Sequence, residues 1–185
     1  MLRDSHYDTG GHDAPPQPET LHLDSDDATG YPNSPLLVLV YRGVVNAPDP
    51  AARADTFETL FKRHGWPPSW RYHLYDFDHF HSTAHEALGI FRGKARARLG
   101  GPNGQEVMLY AGDALVLPAG VGHASLEADD DFCMVGAYPP GQQPTIERGD
   151  PKDLEAALAR VASVAMPEND PVGGPLKTLW AHSSP

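Results

Sequence analysis

The sequence predicts an all-β domain: an antiparallel sheet closed into a barrel or folded into a sandwich, with two α-helices on its outside. Three observations lead there. Eight short runs with strand character are separated by Gly, Pro, Asn or Asp. Eighteen Gly and nineteen Pro in 185 residues favour many turns over long helices. Only two segments carry an apolar stripe of helical period. A chain of this length makes one ordinary domain and buries a core without disulfide staples.

Taken in order, residues 1–30 come first, with seven acidic side chains against the single base Arg3, in a stretch rich in Gly, Pro, Thr and Ser. So few apolar anchors cannot offset ordering entropy, so the segment is expected to be a mobile acidic tail. It holds His6, His12 and His22, whose irregular spacing favours bystanders over a loose metal-binding tail. Residues 31–185 are expected to form a single domain. Its first strand, Leu36–Tyr41, is expected to pair with a barrel edge, its own or a second copy's, because uncovered edges need protection; a homodimer follows as an expectation.

The first helix opens at Asp49-Pro50, an N-cap followed by proline at the first helical position. Ala54, Phe57, Leu60 and Phe61 form its apolar stripe, and Gly65 stops it. Strands are expected at Arg71–His81, His85–Arg92, Lys94–Leu99, Val107–Tyr110, Ala114–Leu117, His123–Ala128 and Phe132–Tyr138. Gly93, residues 100–104, Gly112 and residues 118–120 supply the turns between them. Asp150-Pro151 opens the second helix, striped by Leu154, Ala157, Leu158 and Val161, with Pro167 beyond its end. No internal repeat is present.

Composition excludes several classes of function. A net charge of −11 argues against general affinity for nucleic acid or anionic membrane. Cys133 is the single cysteine, so no intrachain disulfide forms and a reducing cytoplasm is the default. The polar start Met1-Leu2-Arg3-Asp4 does not read as a signal peptide, and the apolar run at Leu36–Tyr41 is far too short to span a bilayer. A soluble, cytoplasmic protein is expected. No Lys-Ser or Lys-Thr follows residues 100–104, so they are not a phosphate loop. No Gly-x-Ser-x-Gly elbow occurs, and Cys133, in an apolar strand, is expected to pack rather than attack.

The chemistry concentrates in histidine. His79-Phe80-His81 on a strand puts both imidazoles on one face, about 7 Å apart along it. In a curved sheet the two can converge on one metal ion. Glu86 follows after a gap long enough for the chain to turn, and its carboxylate can enter the same coordination sphere. His123, after the turn at residues 118–122, can supply a fourth ligand.

Here the residues resemble a known family. His79-x-His81-x4-Glu86-x6-Gly93 is similar to the first cupin motif, and Gly112-x5-Pro118-x-Gly120-x2-His123 to the second. Through these motifs the resemblance covers roughly residues 70–140. Flanking text widens it to about residues 31–180: Pro32-Asn33, Gly65-Trp66-Pro67-Pro68, Asp170-Pro171-Val172, and Gly174-Pro175-Leu176 with Trp180. These segments are similar to a branch of small bacterial cupins without an assigned activity. The resemblance implies a double-stranded β-helix, a jelly-roll barrel with a divalent metal in its open end, held by His79, His81, Glu86 and His123. Such a set suits Fe, Mn, Co, Ni or Zn and, in an octahedral site, leaves two positions for water, substrate or dioxygen.

Three points of detail remain open in the sequence. The second motif often ends in Asn four residues after its His. Glu127 stands there, a base beside the metal if parity with His123 holds and a solvated carboxylate otherwise. His85 competes with Glu86, since alternation lets only one face inward. Motif spacing and the apolar face shared with Leu88 and Ile90 favour Glu86. His73, Tyr75 and Phe77 share parity with His79, so an unbroken strand would line the cavity with them, His73 and Tyr75 serving in proton transfer; a bulge would swap the face. Arg92, Lys94, Arg96 and Arg98 alternate with apolar residues and are expected on a solvated outer face.

The functional expectation is a metal-dependent enzyme acting on a small oxygenated metabolite, with dioxygenation ahead of isomerisation by analogy with the family. The alternative is a metal-dependent module that binds a sugar or organic acid without turnover. A relic barrel serving only as a dimerisation scaffold fits the intact ligand set least.

Overall fold

The computed structural model describes residues 14–181, so His6 and His12 lie outside the described residues. It is an all-β jelly-roll barrel of two facing antiparallel sheets with short helices on its outside. The strands are β1 (Glu19–Leu23), β2 (Ser34–Tyr41), β3 (Pro68–Tyr72), β4 (Glu86–Arg92), β5 (Lys94–Leu99), β6 (Gln105–Tyr110), β7 (Ala114–Leu117), β8 (His123–Ala128) and β9 (Cys133–Ala137). The larger sheet runs β1-β2-β7-β4-β9-β3 and the smaller β6-β5-β8.

The central strands of the larger sheet are buried on both faces. Towards the smaller sheet, Val38, Val40, Leu88, Ile90, Leu115, Leu117 and Met134 meet Ala95, Ala97, Leu99 and Leu109 and fill the barrel. On the other face Leu39, Tyr41, Ala87, Val116 and Val135 are covered by Phe57 and Phe61 of α1 (Pro50–Arg63) and Trp180 of α3 (Leu176–Ala181). Double burial explains why β4 and β7 read as continuous apolar runs rather than alternating ones. Gly89 sits where a Cβ would overlap the Phe57 ring, which lets α1 lie close on β4.

Both predicted helices form. The Asp49 side chain accepts from the Ala52 amide, capping α1 behind Pro50. Asp150 accepts from the Lys152 amide over a short 3-10 turn, and α2 spans Leu154–Ala162. α3, a single extra helix, holds Trp180 through its Nε1–H bond to the Leu37 carbonyl. No described helix is long and apolar enough to cross a membrane.

Two expectations need correction, and a third is narrowed. Part of the segment expected to be a mobile tail is folded: Glu19–Leu23 pairs with β2, Leu23 enters the barrel cluster, and Arg42 grips both oxygens of Glu19 at 3.1 and 3.3 Å. Two alternating leucines and a paired backbone suffice where composition alone suggested disorder. The Leu36–Tyr41 run, expected to pair with a barrel edge of its own or of a second copy, pairs within the chain, with β7 on one side and β1 on the other. The strand expected over Arg71–His81 breaks after Tyr72; residues 73–78 are irregular, and His79 and Phe80 make isolated bridges to His123 and Glu147.

Candidate metal centre

Residues 79–81 are stitched between two segments. His79 and His123 exchange backbone bonds of 3.2 and 2.9 Å, and Phe80 and Glu147 exchange bonds of 2.9 and 3.0 Å. Phe80 therefore turns outward to the Tyr31 ring, 5.6 Å away, while its two histidine neighbours turn inward. His123 begins β8 directly after Gly122, whose amide donates to Asn33 Oδ1 at 3.0 Å. Asn33 also donates to the Asp24 and Gly100 carbonyls, so one buried amide fixes three loops beneath the site.

His79, His81 and His123 are all buried, each with one ring nitrogen within 4.8 Å of those of the others. Every Nδ1 lies against a backbone carbonyl: His79 on Phe77 at 3.0 Å, His123 on Val121 at 2.9 Å, and His81 on Thr145. A carbonyl only accepts, so each Nδ1 carries a proton and each ring, when neutral, turns the lone pair of Nε2 to the cavity. That tautomer is the one a metal-ligating imidazole needs, and a carbonyl behind the ring is its usual support.

Glu86, first residue of β4 and paired with Leu117, is buried among them. Its two oxygens lie 3.2 Å from His81 Nε2 and 3.4 Å from His123 Nε2. Burial would raise the carboxyl pKa, but His81 and His123 outweigh it and hold Glu86 well below the usual carboxylate range. His79 goes the other way: burial, reinforced by neighbouring His123, lowers it to about 3, so it stays neutral. For His81 burial opposes the charge and the Glu86 carboxylate outweighs it, so its pKa is raised. Three imidazole nitrogens and a carboxylate, oriented before any ion arrives, fit a divalent first-row metal.

The four residues stand at the floor of a cavity of about 700 Å³. Tyr75 lines it, half-buried, with its ring edge-on to His79 at 5.2 Å. His73 reaches only the exposed rim, against the Tyr72 ring at 4.0 Å. Phe77 stacks on Tyr75 at 5.0 Å and lies under the Arg148 guanidinium rather than lining the cavity.

Glu127 does not reach the site. Arg96 pairs with Glu127 and Ala97 with Ser125, leaving Leu126 as an extra residue in β8. This bulge reverses the parity counted from His123. Glu127 ends on the outer face, 77% exposed and 3.5 Å from Arg96. His85 also faces away. It packs on Trp180 at 4.9 Å and accepts from the Ala119 amide through Nδ1, while burial lowers its pKa to about 4.

Two residues at the site had no signal in the sequence. Tyr138 lines the cavity, and its hydroxyl accepts from Trp70 Nε1 at 2.9 Å. Burial first, and then the nearby Glu86 carboxylate, raise its pKa and keep it protonated. Glu147 accepts from the Ser82 amide, the Thr145 hydroxyl and Arg160 of α2, which fixes the carbonyl that holds His81. Alternation cannot find either one, because each depends on a contact between distant segments.

No family model matches the chain. It is 40% identical over 126 residues to the uncharacterized protein YjlB of Bacillus subtilis (strain 168), across 66% of this chain and 76% of that protein. Among solved structures it is similar to a DUF861 family protein from Thermotoga maritima, at 21% identity, 54% of this chain, 96% of that chain and a TM-score of 0.32. A score that low bears no weight.

Proposed function

This chain belongs to the same family as Bacillus subtilis YjlB, and we propose that it is a metal-dependent enzyme of cupin type acting on a small oxygenated molecule. The observation that carries the proposal is the set of three buried histidines whose Nδ1 protons are tied to carbonyls, so that three Nε2 atoms meet at a cavity floor. His79, His81 and His123 would hold the ion, with Glu86 as fourth ligand. Bound there, a divalent ion supplies Lewis-acid or redox chemistry to an oxygenated substrate.

The chain's own residues do the rest. Glu86 contributes a negative charge that offsets the ion inside a low-dielectric site. Leu88 and Met134 line the cavity beside the ligands and limit water. Tyr75, next to His79, is placed to exchange a proton with a bound substrate; the protonated Tyr138 hydroxyl, fixed by Trp70, is placed to orient one. Dioxygenation stands ahead of isomerisation by analogy with cupins alone.

Elemental analysis of protein purified without a histidine tag, beside its His81→Ala variant, tests the metal. Near-stoichiometric metal in the wild type and at least a tenfold loss in the variant are expected. Absence of metal from the wild type after incubation with each candidate ion would sink the proposal. Oxygen uptake and isomerase assays on the loaded protein then separate turnover from binding alone.

A further inference from the structure

The charges around the cavity are unevenly placed. Among the described lining residues Arg71 is the one side chain with a fixed positive charge, and it is turned away and spent. It pairs with Val135 on the outer face of the larger sheet, donates to Asp55 at 2.9 Å and Glu58 at 2.6 Å on α1, and lies over the Phe91 ring. Arg96 and Arg98 are engaged by Glu106 and Asp78. An anionic group on the part of a substrate that does not reach the metal would thus be desolvated against walls that offer it no free cationic side chain.

The walls are aromatic and held in place. Trp70 is paired with Gly136, where any Cβ would overlap the indole, so the ring lies against bare backbone and donates to Tyr138. Tyr75 is locked between Phe77 and His79. Several polar lining groups are already committed: Tyr138 accepts from Trp70, and Gln142 donates to the Ala165 carbonyl and accepts from the His85 amide. A polyol would find few partners, whereas a flat ring meets surfaces whose side-chain ordering is already complete.

We propose that this cavity takes an uncharged planar aromatic molecule that presents oxygen donors to the metal, with Trp70 as the residue that selects the ring. The proposal rests on the metal-centre reading above. The test uses cobalt(II)-loaded full-length protein under anaerobic conditions, titrated with catechol, with 3,4-dihydroxybenzoate and with hydroxyacetone. The second adds one carboxylate to the first, and the third offers two adjacent oxygen donors without a ring, so its comparison is read from the change between wild type and Trp70→Leu. Calorimetry gives affinity, and the cobalt visible spectrum reports that the metal stays bound.

Catechol is expected to bind at least tenfold more tightly than either competitor. Trp70→Leu should erase the preference over hydroxyacetone with cobalt still bound, and Trp70→Phe should keep most of it. Equal or tighter binding of 3,4-dihydroxybenzoate or hydroxyacetone, with cobalt in place, overturns the proposal and leaves the metal centre standing. Failure of cobalt to bind overturns both, and is recognised by the absent spectrum.

Discussion

Leu126 decides what Glu127 can do. Counting by twos from His123 points Glu127 inward, and nothing in the text of β8 announces the bulge, because Leu126 is neither Gly nor Pro. His79, His81, Glu86 and His123 were legible for a different reason: they resemble the two cupin motifs position by position, and the structure brings the four side chains together. Glu127→Gln should change stability by less than about 0.5 kcal/mol and leave metal content unaltered, as for other exposed positions. A drop in bound metal would return Glu127 to the site. Gly136 offers the contrast. Gly136→Val is expected to displace the Trp70 indole and cost about 1–3 kcal/mol through overpacking. Denaturant titration with a red-shifted tryptophan emission would record it, and an unshifted spectrum would show that the ring does not lie against Gly136.

At the scale of elements, the site depends on a segment outside the strands. Residues 141–147 cross the barrel mouth, and Glu147 anchors them to Arg160 of α2 at 2.7 Å and to the Ser82 amide at 3.2 Å. Arg160 also donates to Ser82 Oγ at 2.9 Å, tying α2 to the residue after His81. The amphipathic stripe predicted α2 and left its polar face without a role; that face, through Arg160, holds Ser82 and Glu147 beside His81. Arg160→Ala is expected to weaken metal retention about tenfold, the low end for groups that orient a ligand, while the far-ultraviolet spectrum stays unchanged. Measured by competition with a chelator, wild-type retention would show that Thr145 holds His81 without help. The break after Tyr72 was hidden likewise: alternation continued through Tyr75 and Phe77, but the bridge of His79 to His123 needs the chain to leave the sheet first.

The whole molecule gathers four buried ionisable side chains, His79, His81, Glu86 and His123, in one place. Both sheets close over the barrel, Glu86 and three imidazoles share its open end, and the tautomers are set from behind by backbone. Such a site gives a metal far more to bind in the native state than in the unfolded chain, where the same residues are scattered over positions 79–123. The barrel as a class was readable from turns and short strands, and motif spacing favoured Glu86 over His85; the cover of Phe57 and Trp180 on the far face of β4, against which His85 packs, depends on contacts between distant segments that spacing does not carry. Linkage then gives a measurable consequence. An ion present at 100 times its dissociation constant adds about 2.7 kcal/mol of stability. For a domain of this size that corresponds to a rise of roughly 5–10 °C in Tm. Thermal unfolding of metal-stripped protein, with and without added ion, should show that rise in the wild type and in Glu127→Gln, and little of it in His81→Ala. An equal rise in all three would mean that the ion stabilises the fold from elsewhere, and the barrel mouth would lose its claim as the site.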